Sequence, residues 1–244
     1  MSEEILINFT PQETRVALIR QGEVQELLIE RAQNRGYVGN IYLGKVVRVL
    51  PGMQSAFIDI GLEKSAFIHI ADIHSAHDQP IEKVVFDGQT VLVQVLKDPL
   101  GTKGARLTTH ISIAGRNLVY LPNDDKDGQI GISQKITQEE DRDLLKSRVK
   151  EILPANFKGS LIVRTSAEES TQEDLLEDLN YLLRTWQKIH ENTLRLPATS
   201  LVYQELTLIE RVMRDIAEET TGQIRIDSAE NFKKLQEFTK TFIP

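Results

Sequence analysis

The chain has 244 residues, 40% hydrophobic and 27% charged, a balance that supports a folded core and excludes disordered, collagenous and low-complexity classes. It contains no cysteine, so a disulfide framework, a thiolate metal site and a cysteine nucleophile are all excluded within it. Lys plus Arg number 29 against 36 Asp plus Glu, a net charge of −7, which argues against coating a polyanion through bulk charge. The average hides a pattern: residues 36–112 balance 7 basic against 7 acidic side chains and form the least acidic stretch. The acidic start Met1-Ser2-Glu3-Glu4 is unlike a secretory signal, and no apolar run approaches about 18 residues, so a soluble, cytoplasmic protein is expected.

Residues 5–9, 15–20 and 24–30 read as three short strands, with Thr10-Pro11-Gln12 and Gln21-Gly22 as turns. An antiparallel meander of this size cannot bury its own face, so a later segment must cover it. Five further strands, at 41–50, 55–60, 66–70, 91–97 and 105–109, suggest a small barrel with a long polar connection over 71–89. Beyond residue 113 the pattern mixes strand and helix. Thr137-Gln138-Glu139-Glu140 has capping-box spacing before a helix with Leu144, Leu145 and Val149 inward, and 161–163 is a short buried strand. Thr171-Gln172-Glu173-Asp174 caps a long helix with Leu175, Leu176, Leu179, Leu182, Leu183, Trp186 and Ile189 on one face. A helix is expected over 203–218, a strand over 223–226, and from Ser228 a last helix carrying Phe232, Leu235, Phe238 and Phe242, after which Ile243-Pro244 reads as a connection onward.

Strand alternation supplies the sharpest argument about chemistry. Within 55–60, Ala56, Ile58 and Ile60 share one face and Ser55, Phe57 and Asp59 the other; within 65–70, Phe67 shares its side with Ser65 and His69. Two aromatics on the wet faces of neighbouring strands either stack unpaired bases or pack beneath the 71–89 connection. Lys97, Lys103 and Arg106 lie in and beside a turn bounded by Gly101 and Gly104, where Lys103 either approaches a phosphate or is simply solvated. Arg164 and Thr165 close the 161–163 strand and could grip a terminal phosphate, or pair with Glu168 or Glu169 on the surface. His69, His74 and His77 with Asp72 and Asp78 match no standard metal spacing, and Asp124, Asp125 and Asp127 read as a polar loop.

Three stretches, GNIYLGKVVRVLPGMQSAFIDIG (39–61), KDPLGTKGARLTT (97–109) and IVRT (162–165), closely resemble the ribonuclease E/G family in the same order. The resemblance implies an α+β multidomain fold: a split RNase H-like domain (1–35 and 207–244), an inserted S1-type OB-fold β-barrel (36–112) and an α/β 5′-end sensor domain (113–206). It gives the lone meander its cover from the C-terminal segment. Carried over residue by residue, Phe57, Phe67 and Lys103 match the family's single-strand RNA contacts. Gly115, Val119, Arg164 and Thr165 match its 5′-monophosphate pocket, while Arg116 and Asn117 stand where the family varies and receive no role.

By the same resemblance, the parent protein is an endoribonuclease that matures ribosomal RNA and starts messenger RNA decay. It cuts with Mg held by carboxylates of a DNase I-like domain and shares a Zn between copies through cysteines; neither feature falls in these residues. The chain is therefore expected to bind single-stranded RNA with a 5′-monophosphate, to hold no metal and to cleave nothing, its parent forming a homodimer or higher homo-oligomer. The alternative is a stand-alone S1-type RNA-binding adaptor; a third class, a barrel used only for protein contacts, would not depend on Phe57 and Phe67.

Overall fold

A computed structural model describes residues 3–74, 76, 79–217 and 221–242. The chain divides into two compact units, Met1–Gly36 with Leu206–Pro244, and Tyr37–Glu205. The first begins with β1 (Glu3–Phe9), β2 (Glu13–Arg20) and β3 (Glu23–Arg31), an antiparallel meander. Period-two alternation sends Ile5 and Ile7 of β1 and Val16 and Leu18 of β2 to one buried face.

The barrel of the second unit consists of β4 (Ile41–Leu50), β5 (Ser55–Asp59), β6 (Ala66–His69), β7 (Thr90–Lys97) and β8 (Arg106–Thr108). Its sheet runs β4-β5-β6-β8-β7 and closes where the first half of β4 pairs with β7, so no strand edge of the ring is left open. Val46, Ala56, Ile58, Ala66, Ile68, Val93, Val95 and Leu107 fill the interior. The polar connection 71–89 contributes to that core as well: Ile73, Ala76, Ile81 and Val85 are buried in it.

A four-stranded sheet follows, β9 (Ile113–Ala114), β10 (Leu118–Leu121), β11 (Ile130–Ile132) and β12 (Ser160–Val163), in the order β11-β12-β10-β9. Helices α1 (Glu139–Ile152) and α2 (Gln172–Arg195) lie with this sheet in one hydrophobic core that also takes in Ile41 and Leu43 of the barrel. Within the 161–163 segment only alternate residues are inward: Leu161 and Val163 are buried, while Ile162 is exposed. The capping box of α2 forms, with Thr171 Oγ1 accepting from the Asp174 amide at 3.1 Å.

The box expected at Thr137 does not form. Helix α1 starts after Gln138, which makes no side-chain cap, and its entry is tied instead by Arg142 Nη1 donating to the carbonyls of Ser133 at 3.0 Å and Ile136 at 2.9 Å. Leu144, expected inward, is 58% exposed, and Leu176 on α2 is exposed too; the apolar stripes of both helices are narrower than the residue types suggested. The helix expected from Tyr203 starts later, because Tyr203 belongs to β13 (Ser200–Tyr203), an antiparallel partner of β4. Only then does α3 (Leu208–Asp215) begin, under a second capping box between Thr207 and Glu210. Glu218, the end of the expected helix, lies outside the described residues.

With α3, β14 (Thr221–Ile226) and α4 (Ala229–Phe242) the first unit is completed. Strand β14 adds in parallel to β1, and Leu208, Ile209, Val212, Met213 and Leu235 cover Ile5, Ile7, Val16 and Leu18. Phe238 packs against this core, whereas Phe232 is exposed; Ile243 and Pro244 lie outside the described residues. Among the described residues no helix is long and apolar enough to cross a membrane.

Candidate nucleic-acid interface

Sheet register places Phe57 and Phe67 directly opposite each other on β5 and β6. Their ring centroids are 6.2 Å apart at 64°, an edge-to-face pair. Phe57 is 38% exposed and Phe67 half-buried, so the 71–89 connection does not seal the pair. Register extends the line in both directions: Arg48 on β4 faces Phe57, Arg106 on β8 faces Phe67, and Lys97 on β7 faces Arg106. A single row across five strands thus reads cation, ring, ring, cation, cation.

The three cations differ in what they can still do. Arg106 donates to both carboxylate oxygens of Asp72, at 3.0 and 3.2 Å, so its charge is balanced locally. Arg48 and Lys97 are exposed and make no ion pair among the described residues. Sequence alternation misses Arg48, since counting from buried Val46 would turn it inward; a bulge between Val46 and Arg48 brings it out. Lys103 is exposed at a turn fixed from two sides. Leu100 and Lys103 exchange backbone hydrogen bonds of 3.1 and 3.0 Å, and Lys64 Nζ donates to the Gly101 carbonyl at 2.7 Å. Such a row offers planar π-faces flanked by exposed cations, a combination suited to an unpaired strand through stacking and phosphate contact. Arg48→Ala is expected to reduce the slope of log affinity against log salt by about 0.7, the share of one phosphate contact on a single strand, in titrations at several salt concentrations.

The second cluster lies where β9 turns into β10. Both carboxylate oxygens of Asp178, on α2, accept backbone N–H groups of this turn: Arg116 at 2.9 Å, Asn117 at 2.8 Å and Leu118 at 2.8 Å. A Cβ on Gly115 would stand 2.3 Å from Asp178 Oδ1, so only glycine lets the carboxylate reach these amides. Burial pushes the Asp178 carboxyl above the ordinary range, and the three N–H groups and Arg164 pull it back. Arg164 is tied to the same turn twice, its guanidinium donating to the Gly115 carbonyl and its amide to the Asn117 carbonyl at 2.8 Å. Thr165 is exposed next to it, and Val119 is half-buried on β10 opposite Ile162. Gly115 and Arg164 are therefore in contact, with Thr165 and Val119 adjacent in chain and sheet. Asn117 is buried here and its Oδ1 has no hydrogen-bond partner among the described residues. Asp178 escaped the sequence reading, although an acid between Leu175 and Leu182 on the apolar stripe of α2 was a legible signal.

His69 and His74 have separate partners. His69 Nδ1 accepts from the Ala71 amide at 3.1 Å, while His74 Nε2 lies 3.1 Å from Asp125 Oδ1 and its ring 5.3 Å from that of His110. His77 and Asp78 lie outside the described residues. Asp124 and Asp127 serve their loop, accepting from Ser160 Oγ at 2.6 Å and from the Gly159 amide at 2.8 Å. Among the described residues no three His, Asp or Glu side chains converge on a point where a metal ion could be held.

A closed five-stranded barrel with this outward row is an S1 RNA binding domain, and residues 37–109 match that domain model. Residues 112–244 match the Ribonuclease E/G family, and the chain belongs to that family. It is 47% identical to Ribonuclease G of Salmonella typhimurium, over 100% of this chain and 51% of the relative. Identity to Ribonuclease G of Haemophilus influenzae is 45%, over 99% of this chain and 50% of the relative. Ribonuclease E of Escherichia coli is 37% identical, over 93% of this chain and 22% of the relative. The chain spans about half the length of the Ribonuclease G relatives it matches.

Proposed function

We propose that this chain is the RNA-holding half of a ribonuclease G-like endoribonuclease, gripping single-stranded RNA across the barrel and reading a 5′-monophosphate beside Arg164. The observation that carries the first part is the row Arg48, Phe57, Phe67, Arg106, Lys97, and Lys103 is exposed on the turn between β7 and β8. Bases lie on the two rings and phosphates on Arg48 and Lys103. The second part is supported by the Arg164 guanidinium, held at the Gly115 carbonyl, standing next in the chain to the exposed Thr165, a cation and a hydroxyl suited to a terminal phosphate. Val119 offers the adjoining apolar contact. In this reading residues 36–112 are the barrel, 113–206 the sensor, and 1–35 with 207–244 an RNase H-like scaffold.

The parent would use these contacts to place RNA for cutting in ribosomal RNA maturation and messenger RNA decay, with Mg held by carboxylates of a further domain. The described residues do not fit that metal, since no three of their acids or histidines converge, and no cleavage step is assigned to them. The shared Zn and the homo-oligomeric state likewise belong to the parent.

Two measurements test the reading. The purified chain is expected to bind a single-stranded oligoribonucleotide and leave it intact with magnesium; metal-dependent cutting by these residues would reject the division of labour. Arg164→Ala is expected to bring the affinity ratio of 5′-monophosphorylated to 5′-hydroxyl RNA to about 1, a charge-assisted contact being worth roughly 1.5–3 kcal/mol. An unchanged ratio removes Arg164 from the pocket.

A further inference from the structure

Beyond Arg48 the row meets another exposed ring. The second half of β4 pairs with β5 along one edge and is bonded along the other to the turn 86–89. The Val46 amide donates to the Gln89 carbonyl and the Val46 carbonyl accepts from the Gly88 amide, both at 2.8 Å, while Asp87 Oδ1 accepts from the Val49 amide at 2.8 Å. The turn is closed on itself as well: the Gln89 amide donates to the Phe86 carbonyl and Gln89 Oε1 accepts from the Phe86 amide, each at 3.1 Å. Gly88, at φ +86°, supplies the left-handed residue that this closure uses. Val85 is 4% exposed in the barrel core and its neighbour Phe86 is 64% exposed, so the ring is turned away from that core and is barer than Phe57. Val47, at the β4 bulge, is a second exposed apolar side chain on the strand beside it.

A ring held in water on a tightly bonded turn adds nothing to the barrel core, and its place in the sheet suggests what it is for. Crossing from β6 to β5, to β4 and on to the turn, the outward side chains run Phe67, Phe57, Arg48, Phe86. Neighbouring strands lie about 4.8 Å apart, which puts the turn roughly 10 Å from β5. One cation thus stands between two aromatic positions, matching the base, phosphate, base order of a single strand. Single-strand sites on barrels of this kind span about 4–16 nucleotides, more than two rings can seat. We infer that Phe86 is a third base-stacking position, extending the RNA track over β4 to the 86–89 turn. This extension rests on the row reading proposed above. A protein partner suits the patch less well: Arg48, exposed and without an ion pair among the described residues, lies between the rings, and covering it with protein would bury an unpaired charge.

Fluorescence anisotropy of the 244-residue chain with an oligouridylate of about 12 nucleotides provides the test. Phe86→Ala is expected to lower affinity by about 5-fold or more, the equivalent of the weakest stack on an aromatic ring. Phe86→Trp is expected to stay within about 2-fold of the unaltered chain, whereas Phe86→Leu, apolar but without a ring, is expected to lose as much as Phe86→Ala. In all three the slope of log affinity against log salt should hold, because no charge is removed. Melting temperatures should hold too, since the ring lies outside the core; should Phe86→Ala nevertheless unfold, Phe86→Leu decides. Affinity within about 2-fold in a folded Phe86→Ala, or full affinity in Phe86→Leu, overturns the inference. Self-association that Phe86→Ala abolishes in sedimentation velocity, with RNA affinity intact, also overturns it and makes the ring a contact between copies of the chain. If Phe57→Ala with Phe67→Ala leaves affinity intact as well, the row reading itself fails; if that pair loses affinity and Phe86→Ala does not, only the third position falls.

Discussion

Replacing Phe57 and Phe67 together by alanine is expected to lower affinity for single-stranded RNA by about 2 kcal/mol or more, roughly 30-fold, in fluorescence anisotropy titrations. Base stacking on an aromatic ring is worth about 1–3 kcal/mol per base, and the two rings stand opposite each other in register, so one strand can engage both. Their edge-to-face contact means that each also orients the other, so the single variants together should account for more than the double variant loses. The fold is expected to survive: Phe57 is exposed, Phe67 is only half-buried, and the interior of the barrel is built from Ala56, Ile58, Ala66 and Ile68 on the opposite faces of the same strands. Unlike Arg48→Ala, the double variant should leave the salt slope near its original value, because no charge has been removed. Undiminished affinity would mean that RNA uses another surface.

Gly104→Ala is expected to destabilise the second unit by about 3 kcal/mol, at the upper end for forcing an extra methyl into a filled site. The added Cβ would stand 1.9 Å from the Ser65 carbonyl oxygen and 3.2 Å from Ala66 Cα, both backbone atoms that no rotamer change can move aside. Relief requires parting the seam between β6 and β8, where the Phe67 amide donates to the Ala105 carbonyl at 2.8 Å. That same seam sets Phe67 beside Arg106, so RNA affinity is expected to fall together with the melting temperature. Gly52→Ala is the control, since a Cβ there meets nothing within 4 Å. Equal melting temperatures for the two variants would show that the seam yields more easily than this packing implies.

Much of the interface was legible because a strand has period two. The buried Ala56, Ile58, Ala66 and Ile68 identify by elimination the side on which Phe57 and Phe67 must lie, and no tertiary information is needed for that step. The bulge that exposes Arg48 is a local departure from the period and leaves no mark in residue type. Strand β13 was hidden for a different reason. Ser200–Tyr203 is short and forms by pairing with β4, far away in sequence, whereas the Thr207 and Glu210 spacing that marks the true start of α3 was readable. At Thr137 the same spacing misled, because two carbonyl bonds from Arg142 fix the entry of α1 without a cap. In the second cluster, Arg164 and Thr165 were visible as a cation and a hydroxyl at a strand end. That the turn to which the Arg164 guanidinium donates is also held by a buried acid on α2 is a contact across about 60 residues of chain, and only the fold brings it together.

The most direct test is a crystal structure of the chain with a short 5′-monophosphorylated oligoribonucleotide. The expected result is one strand with bases against Phe57 and Phe67 and its terminal phosphate bonded to Arg164 and Thr165. RNA seated on another face, with both rings bare and the Arg164 guanidinium touching only protein, would contradict it.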